Sequence, residues 1–154
     1  MVGYYLLKCG EFAYKKSYSA GYDFGAIKRL NRYEAGVVST LYICFALKRP
    51  DAVGNFFEHF FDANLLNEGI SGIAQEGARN HGLLNVSVVD FFELDVPSPP
   101  PAEQQAISSV LSALDTEIDL LTRQQAKVQE QKRGLMDLLL TGKVRVQVPK
   151  ELPA

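Results

Sequence analysis

The sequence is poor in the residues from which most catalytic and metal sites are built. Its 154 residues include two cysteines, two histidines and no tryptophan. Cys9 and Cys44 belong to no closely spaced cysteine or histidine pattern, which predicts two reduced thiols in the core. His59 falls on the surface or partly buried in a predicted helix, and His81 falls in a loop, neither with metal-ligand spacing. We expect no metal site and no bound cofactor.

Motifs of nucleotide and acyl-transfer chemistry are missing too. The sequence has no glycine-rich dinucleotide fingerprint, no P-loop and no G-x-S-x-G. The glycine-bracketed residues 21–25 lack the spacing of a phosphate cradle and predict a turn. Asp115, Glu117 and Asp119 lie on a predicted helix surface, with no carboxylate pair fixed in a pocket. We therefore do not expect an enzyme.

Long apolar runs are absent as well. A membrane-spanning helix needs about 20 apolar residues, whereas the stretch 37–47 is interrupted by Ser39 and Thr40. The N-terminus lacks the basic region and apolar stretch of a secretion signal. With 47% hydrophobic and 22% charged residues, the composition is that of a globular protein. We expect a cytoplasmic protein that does not bind membranes.

The chain divides at the proline-rich residues 97–101, where neither a helix nor a central strand continues. Upstream, residues 51–61 carry phenylalanines at helical spacing, with Asp51 placed to cap the helix. Stretches rich in aromatic and β-branched residues predict strands, at residues 4–7, 11–15, 26–30 and 37–46. A small mixed α/β domain is predicted here, and with the helix downstream the fold class is α+β.

One long helix is predicted after the prolines. Pro101 suits its first turn, Glu103 places negative charge near its N-terminus, and Gly142 ends it. About 38 residues at 1.5 Å each would give a rod of roughly 57 Å.

A heptad seam runs along this helix, with positions that alternate four and three residues apart. Eight of its ten positions are apolar, so the helix needs a partner helix to cover them. The polar positions, Gln125 and Lys132, predict the register or orientation of pairing; alternatively, the seam frays toward Gly134. The seam, which is the predicted helix-pairing surface, consists of Ile107, Leu111, Leu114, Ile118, Leu121, Gln125, Val128, Lys132, Leu135 and Leu139.

Charge is unevenly distributed, and the first third is basic. Residues 1–50 hold eight Lys or Arg against three Asp or Glu, whereas residues 51–101 hold one against eight. In the basic third, cations alternate with tyrosine, serine and asparagine, which bind phosphates and base edges. A solvated charged face would have the same composition, and a plain loop is the alternative for a second polar cluster at residues 79–81. The predicted DNA-binding residues are Lys15, Lys16, Ser17, Tyr18, Lys28, Arg29, Asn31, Arg32, Arg79 and Asn80.

Several motifs resemble those of a known family. PPPAEQQAI at residues 99–107 and KRGLMDLLLTGKVR at residues 132–145, with the seam between them, are similar to the specificity subunits of type I restriction-modification systems. In that family they mark the end of a recognition domain and the conserved helix that follows it. Upstream, GEFAYKKS at residues 10–17 and GVVSTLY at residues 36–42 resemble the middle of a target-recognition domain.

The resemblance implies three parts. A target-recognition domain would span residues 1–98, a conserved spacer helix residues 99–145, and a tail residues 146–154. Because the similarity begins in the middle of the recognition domain, we expect early strands of that domain to be missing.

The resemblance also implies a role in defence against foreign DNA, as a non-catalytic subunit that reads a DNA sequence. In this family two recognition domains each read half of a split site, and paired antiparallel helices set their separation. The implied partners are double-stranded DNA, the modification (methyltransferase) subunit and the restriction (translocase and endonuclease) subunit, with a homodimer through the long helix as a further one. The alternative is an assembly protein that pairs through this helix without reading DNA.

Overall fold

The structure, a computed structural model, describes residues 3–76 and 82–147. The predicted α+β class and long C-terminal helix are confirmed. The strands are β1 (Tyr4–Lys8), β2 (Phe12–Lys15), β3 (Ala26–Arg29), β4 (Ala35–Ser39), β5 (Tyr42–Phe45), β6 (Gln75–Glu76) and β7 (Leu84–Asn85). The helices are α1 (Gly54–Asp62), α2 (Asn67–Ile73), α3 (Val88–Phe92) and α4 (Pro101–Leu140). The chain divides into two compact units, Met1–Leu111 and Ser112–Ala154.

The central sheet of the first unit is antiparallel, in the order β3-β2-β5. Alternation along β2 points Phe12 and Tyr14 toward one face, where both are fully buried. Helices α1 and α3 supply aromatic side chains to that face; the Tyr14 ring, for example, stacks on Phe91 at 5.0 Å between centroids. The core that results contains Phe12, Tyr14, Ile27, Ile43, Phe56, Phe57, Phe61, Leu66, Ile70, Val86 and Phe91.

The single strand predicted over residues 37–46 is wrong, because the chain turns at Thr40 and Leu41 and forms two strands. The amide of Leu41 donates to the Ser39 hydroxyl at 3.1 Å, which closes this turn. Strand β4 pairs with β1, and β5 pairs with β2, so the two halves belong to different sheets.

The predicted cap of α1 is also wrong. Val53 occupies the N-cap position, with no capping hydrogen bond from its own side chain, and Asp51 lies outside the helix. The Asp51 carboxylate instead accepts two hydrogen bonds from the Arg49 guanidinium, at 3.0 and 2.7 Å. These bonds hold the pKa of Asp51 below its usual value.

Both cysteines are free thiols, but the prediction that they lie in the core is wrong. Cys9 follows the end of β1 and is exposed, held by a hydrogen bond from its amide to the Glu34 carbonyl. Cys44 is half-buried on β5, opposite Ala13. Burial, with a smaller effect of the nearby Glu11 charge, raises the pKa of the Cys44 thiol.

Helix α4 begins and ends where the sequence predicts. Pro101 is its first residue, and Gly142, just beyond its end, has the left-handed φ of 74° that such an ending requires. The amides of Gly142 and Val144 donate to the Leu139 and Leu138 carbonyls, which closes the last turn. The predicted turn at residues 21–25 is confirmed by the bridge between Ser19 and Tyr22.

The first turns of α4 are fastened to the domain by Gln104, whose side chain is fully buried. Its Oε1 accepts a hydrogen bond from the Val53 amide at 2.9 Å, the amide at the N-terminus of α1. Its Nε2 donates to the Pro99 carbonyl at 2.8 Å and more weakly to the Ser98 hydroxyl at 3.5 Å. Gln104 therefore caps α1 and anchors α4 with a single amide.

Tyr14 predicts a loss of stability at alkaline pH. Its hydroxyl donates to the Phe24 carbonyl at 2.7 Å, and burial raises its pKa from 10.0 to about 12. Between these values the unfolded chain releases the proton and the folded chain keeps it, so the free energy of unfolding falls as pH rises. The expected loss is roughly 2 kcal/mol by pH 12, since one pKa unit is about 1.36 kcal/mol and the folded chain begins to release the proton there.

Tyr14→Phe tests this source of pH sensitivity. We expect the variant to be less stable at pH 7 by roughly 1 kcal/mol, because the Phe24 carbonyl loses its donor. Its denaturant midpoint falls less than that of the wild type between pH 10 and 12. Equal slopes for the two proteins in that interval would show that Tyr14 does not carry the effect.

Candidate nucleic-acid interface and helix-pairing face

The outer face of the central sheet, opposite the core, carries two of the predicted DNA-binding lysines. Lys15 lies opposite Ala26 on one side and Tyr42 on the other, while Lys28 lies opposite Ala13. Directly opposed residues share a face, so alternation places Lys15 and Lys28 together on the side away from Phe12 and Tyr14. Both line one open cavity of about 310 Å³.

The walls of this cavity are mostly apolar. Leu7 and Val38 come from the β1–β4 sheet and Ala13 from β2, and the hydroxyl-bearing Tyr42 also borders the cavity. Lysine stems pack against such walls while their ammonium groups stay in water. The outer face therefore offers cations on an apolar surface, an arrangement that suits a polyanion but does not by itself select one.

The predicted contacts Lys16, Ser17 and Tyr18 follow directly after β2. The Lys16 carbonyl accepts from the Leu84 amide at 3.0 Å, and the Tyr18 amide donates to the Gly82 carbonyl at 2.8 Å. Ser17 pairs with Leu83 in an isolated bridge between them. The segment is thus held by its backbone, and Tyr18 leaves 60% of its surface exposed. The predicted Arg79, Asn80 and His81 lie outside the described residues.

Two of the predicted contacts on and beside β3 are bound to α1. Arg29 donates from Nη1 to the Asn55 side-chain oxygen at 2.8 Å and lies 3.4 Å from a Glu58 carboxylate oxygen. The side-chain amide of Asn31 donates to the other Glu58 oxygen at 2.6 Å.

Lys28 is also bound to α1, through the Asp62 carboxylate at 2.7 Å. Its ammonium lies 5.0 Å from the centroid of the Tyr22 ring. Burial alone would lower the pKa of Lys28, but the hydrogen bonds to Asp62 and Tyr22 outweigh burial, and the pKa is raised. Lys28 is therefore charged throughout the physiological range.

The remaining basic candidates are differently placed. Arg32 is exposed between β3 and β4. In the part of the chain that the structure describes, no carboxylate lies within ion-pair distance of Lys15, Lys16 or Arg32. These three cations contribute their charge to the surface without a neutralising partner there.

The seam of α4 is exposed along its whole length. Its eight apolar side chains expose between 36% and 61% of their surface, far more than core residues do. Gln125 and Lys132 are exposed as well. An apolar stripe of this length on one helix face is typical of a coiled-coil surface.

Sequence reasoning missed the α1 side chains that bind the β3 cations, and it treated Gln104 only as part of a motif. Glu58 and Asp62 lie four residues apart, a spacing that places two carboxylates on one helix face. That spacing is a weak signal, because it does not say which cations the face will meet. The burial of Gln104 has no sequence signal beyond its place after Pro101.

Residues 3–76 and 82–147 contain no group of three or more His, Cys, Asp or Glu side chains placed to hold a metal ion. Among their helices, none has the length and apolar character needed to cross a bilayer. His59 is half-buried on α1, as predicted.

Comparison with known proteins finds relatives for part of the chain. No family model and no solved structure matches it. A Methanocaldococcus jannaschii protein named as the MjaX specificity subunit of a type I restriction enzyme is 39% identical over 57 residues, which are 37% of this chain and 13% of that protein. The type I restriction enzyme MjaVIII specificity subunit of the same organism is 31% identical over 81 residues, 53% of this chain and 17% of that protein.

These matches cover less than a fifth of either relative. Both relatives are named as specificity subunits of type I restriction enzymes, which is the family that the proline-glutamine and helix motifs predict. In sequence, the chain is therefore a relative of the specificity subunits of type I restriction enzymes, and the predicted resemblance is confirmed.

Proposed function

We propose that this chain is a DNA-recognition chain of a type I restriction-modification system, without catalytic activity of its own. Residues 1–98 would contact double-stranded DNA, and the spacer helix within residues 99–145 would hold this domain at a fixed distance from a second one. The observation that carries the proposal is the exposed seam of α4 in a relative of specificity subunits. The modification subunit and the restriction subunit would dock on this assembly and supply the chemistry.

A second copy of the chain is the partner that the seam fits. Residues 101–120 of α4 contain four acidic residues and no basic one, whereas residues 121–140 contain four basic and two acidic residues. Antiparallel pairing sets each acidic half against a basic half, and parallel pairing sets like charges together. If Ile107 lies opposite Leu139, Lys132 lies opposite Leu114, one turn from Glu117 of the other copy. Two such chains would carry two recognition domains.

The DNA-contacting surface proposed here centres on the end of β2. Lys15 and Lys16 would neutralise phosphates, and Ser17 and Tyr18 would supply hydrogen bonds to the backbone or to bases. Arg32 would add a further phosphate contact. Arg79 and Asn80 remain predicted contacts.

The salt dependence of DNA binding tests this surface. We expect the chain, mixed with a cognate modification subunit, to retain duplex DNA in a mobility-shift assay. Lys15→Met and Lys16→Met should each lower the slope of log affinity against log salt by about 0.9, the value for one lost phosphate contact. Lys127→Met is the matched control, since it removes an exposed lysine from α4 and should leave the slope unchanged.

Two outcomes would count against the proposal. If the mixture retains no duplex under conditions in which an intact specificity subunit does, DNA reading is not a property of this chain. If Lys15→Met and Lys127→Met give the same slope, the outer face is not the phosphate-binding surface.

A second function, assembly through α4 without DNA reading, is favoured by one observation. Lys28, Arg29 and Asn31 are bound to α1, which removes three of the ten predicted DNA contacts from free solution. The two functions differ in a pull-down of the modification subunit. Capture that survives neutralisation of Lys15, Lys16 and Arg32, together with no retention of DNA by the wild type, would favour assembly alone.

A further inference from the structure

The side chains of α1 hold the cations of β3 in a fixed arrangement that centres on Arg29. Its Nε donates to the Gly10 carbonyl at 3.3 Å, and its guanidinium carbon lies 5.9 Å from the centroid of the Phe12 ring. The bonds to Asn55 and Glu58 bring the number of groups that hold the Arg29 side chain to four. Only 21% of this side chain is exposed. A guanidinium held so completely has little freedom to turn toward another anion.

The backbone of α1 also packs against Arg29. A Cβ added at Gly54, the first residue of α1, would lie 2.6 to 2.9 Å from three atoms of the guanidinium. The guanidinium therefore lies directly against the backbone of α1, and a side chain at position 54 would force the end of Arg29 to shift. This close approach accounts for a glycine at a helical position that otherwise favours alanine.

Both carboxylates of α1 are used in the same way. Glu58 binds Arg29 and Asn31, and Asp62, one turn further on, binds Lys28. The helix thus meets each cation of β3 with one opposite charge, so that the net charge of this patch is near zero. Phosphate binding gains from the release of condensed counterions, and a cation already paired with a carboxylate contributes little to that release.

We infer that α1 is a charge clasp, formed by Asn55, Glu58 and Asp62, that keeps Lys28 and Arg29 from polyanions and leaves Lys15, Lys16 and Arg32 to attract them. The part of this inference that concerns DNA rests on the proposed function. The pairing of α1 with Lys28 and Arg29 does not. Its consequence is lower affinity for DNA of any sequence, because two of the cations in the basic third are paired with carboxylates of the domain itself. A reader of sequence benefits from weak non-specific binding, since non-specific sites compete with the target.

Elution from heparin-agarose in a sodium chloride gradient tests the clasp without DNA. Asp62→Asn releases Lys28, so we expect this variant to elute at higher salt than the wild type. Glu93→Gln is the matched control, because it removes one exposed negative charge that makes no ion pair in the described part of the chain. Lys28→Met should elute close to the wild type, and Lys15→Met clearly earlier.

Elution of Asp62→Asn no later than Glu93→Gln would overturn the inference, and so would an equal shift for Lys28→Met and Lys15→Met. With duplex DNA as the polyanion, Asp62→Asn should steepen the salt slope by about 0.9. Heparin and DNA separate the two proposals. Should the clasp variants behave as expected on heparin while no variant retains duplex, the proposed function fails and the clasp stands.

Thermal unfolding gives a readout that does not depend on any polyanion. Arg29→Met and Glu58→Gln should each lower the unfolding midpoint, and the double variant should fall by less than the sum of the two single shifts, because both remove the Arg29–Glu58 contact. Additive shifts would show that Arg29 and Glu58 act separately, which the clasp does not allow.

Discussion

Leu121→Asp should convert the proposed antiparallel dimer to a monomer. Leu121 lies near the middle of the seam, where 56% of its surface is exposed in the single chain. In an antiparallel pair each copy buries its Leu121 against the other helix, and burial of one leucine contributes about 2 kcal/mol. Two lost leucines amount to roughly 4 kcal/mol, or about a thousandfold in the dissociation constant. The two aspartates also meet an apolar interface, which adds to this loss.

The neighbouring Leu120 provides the control for this change. It is exposed to nearly the same extent, 60%, but lies off the seam. Leu120→Asp introduces the same residue one position earlier in the same helix and should leave the proposed dimer intact. The mass of each variant by light scattering over a concentration series gives the result. If Leu121→Asp keeps the mass of the wild type, or if both variants dissociate, the seam is not the pairing surface.

The long helix could be predicted closely because its signals are local. A proline at the first turn, a glycine just past the end and a regular seam all lie within the helix or beside it. None of these signals depends on the rest of the fold. For the same reason they predict that the seam needs a partner but do not identify it.

The strands were harder to place, because strand limits depend on distant partners. Residues 37–46 have one continuous β-type composition, but β4 pairs with β1 and β5 with β2, so a turn divides them. Asp51 shows the same limitation at a helix end. Its carboxylate binds Arg49, two residues away in sequence. The amide of Val53 is instead capped by Gln104, which lies 51 residues further along the chain.

The candidate site was predicted by residue type and changed by tertiary contacts. Lys28, Arg29 and Asn31 look in sequence like Lys15 and Lys16, since all are polar or cationic residues of a basic third. Their carboxylate partners lie 27 to 34 residues further along the chain, in a helix whose position only the fold determines. A composition argument cannot separate cations that bind the domain itself from cations that remain available.

Truncation of Gln104 should strongly destabilise the first unit. It is fully buried, and its amide bonds two backbone groups: the Val53 amide at the N-terminus of α1 and the Pro99 carbonyl. Truncation to alanine removes both hydrogen bonds, each worth about 0.5 to 1.5 kcal/mol, and leaves a cavity where the buried side chain lay, which adds to the loss.

We therefore expect Gln104→Ala to lower the free energy of unfolding by roughly 2 to 4 kcal/mol, a large part of what a domain of this size has. Gln105→Ala removes the same side chain from the next residue, which is exposed and bonds only Ser109 in its own helix, and should change stability by less than about 0.5 kcal/mol. Urea denaturation compares the two, and hydrogen exchange of the Val53 amide reports the cap directly. Faster exchange at Val53 in Gln104→Ala but not in Gln105→Ala would place the loss at the N-terminus of α1. Equal stability of the two variants would mean that water replaces the amide and that the anchor lies elsewhere in the first turns of α4.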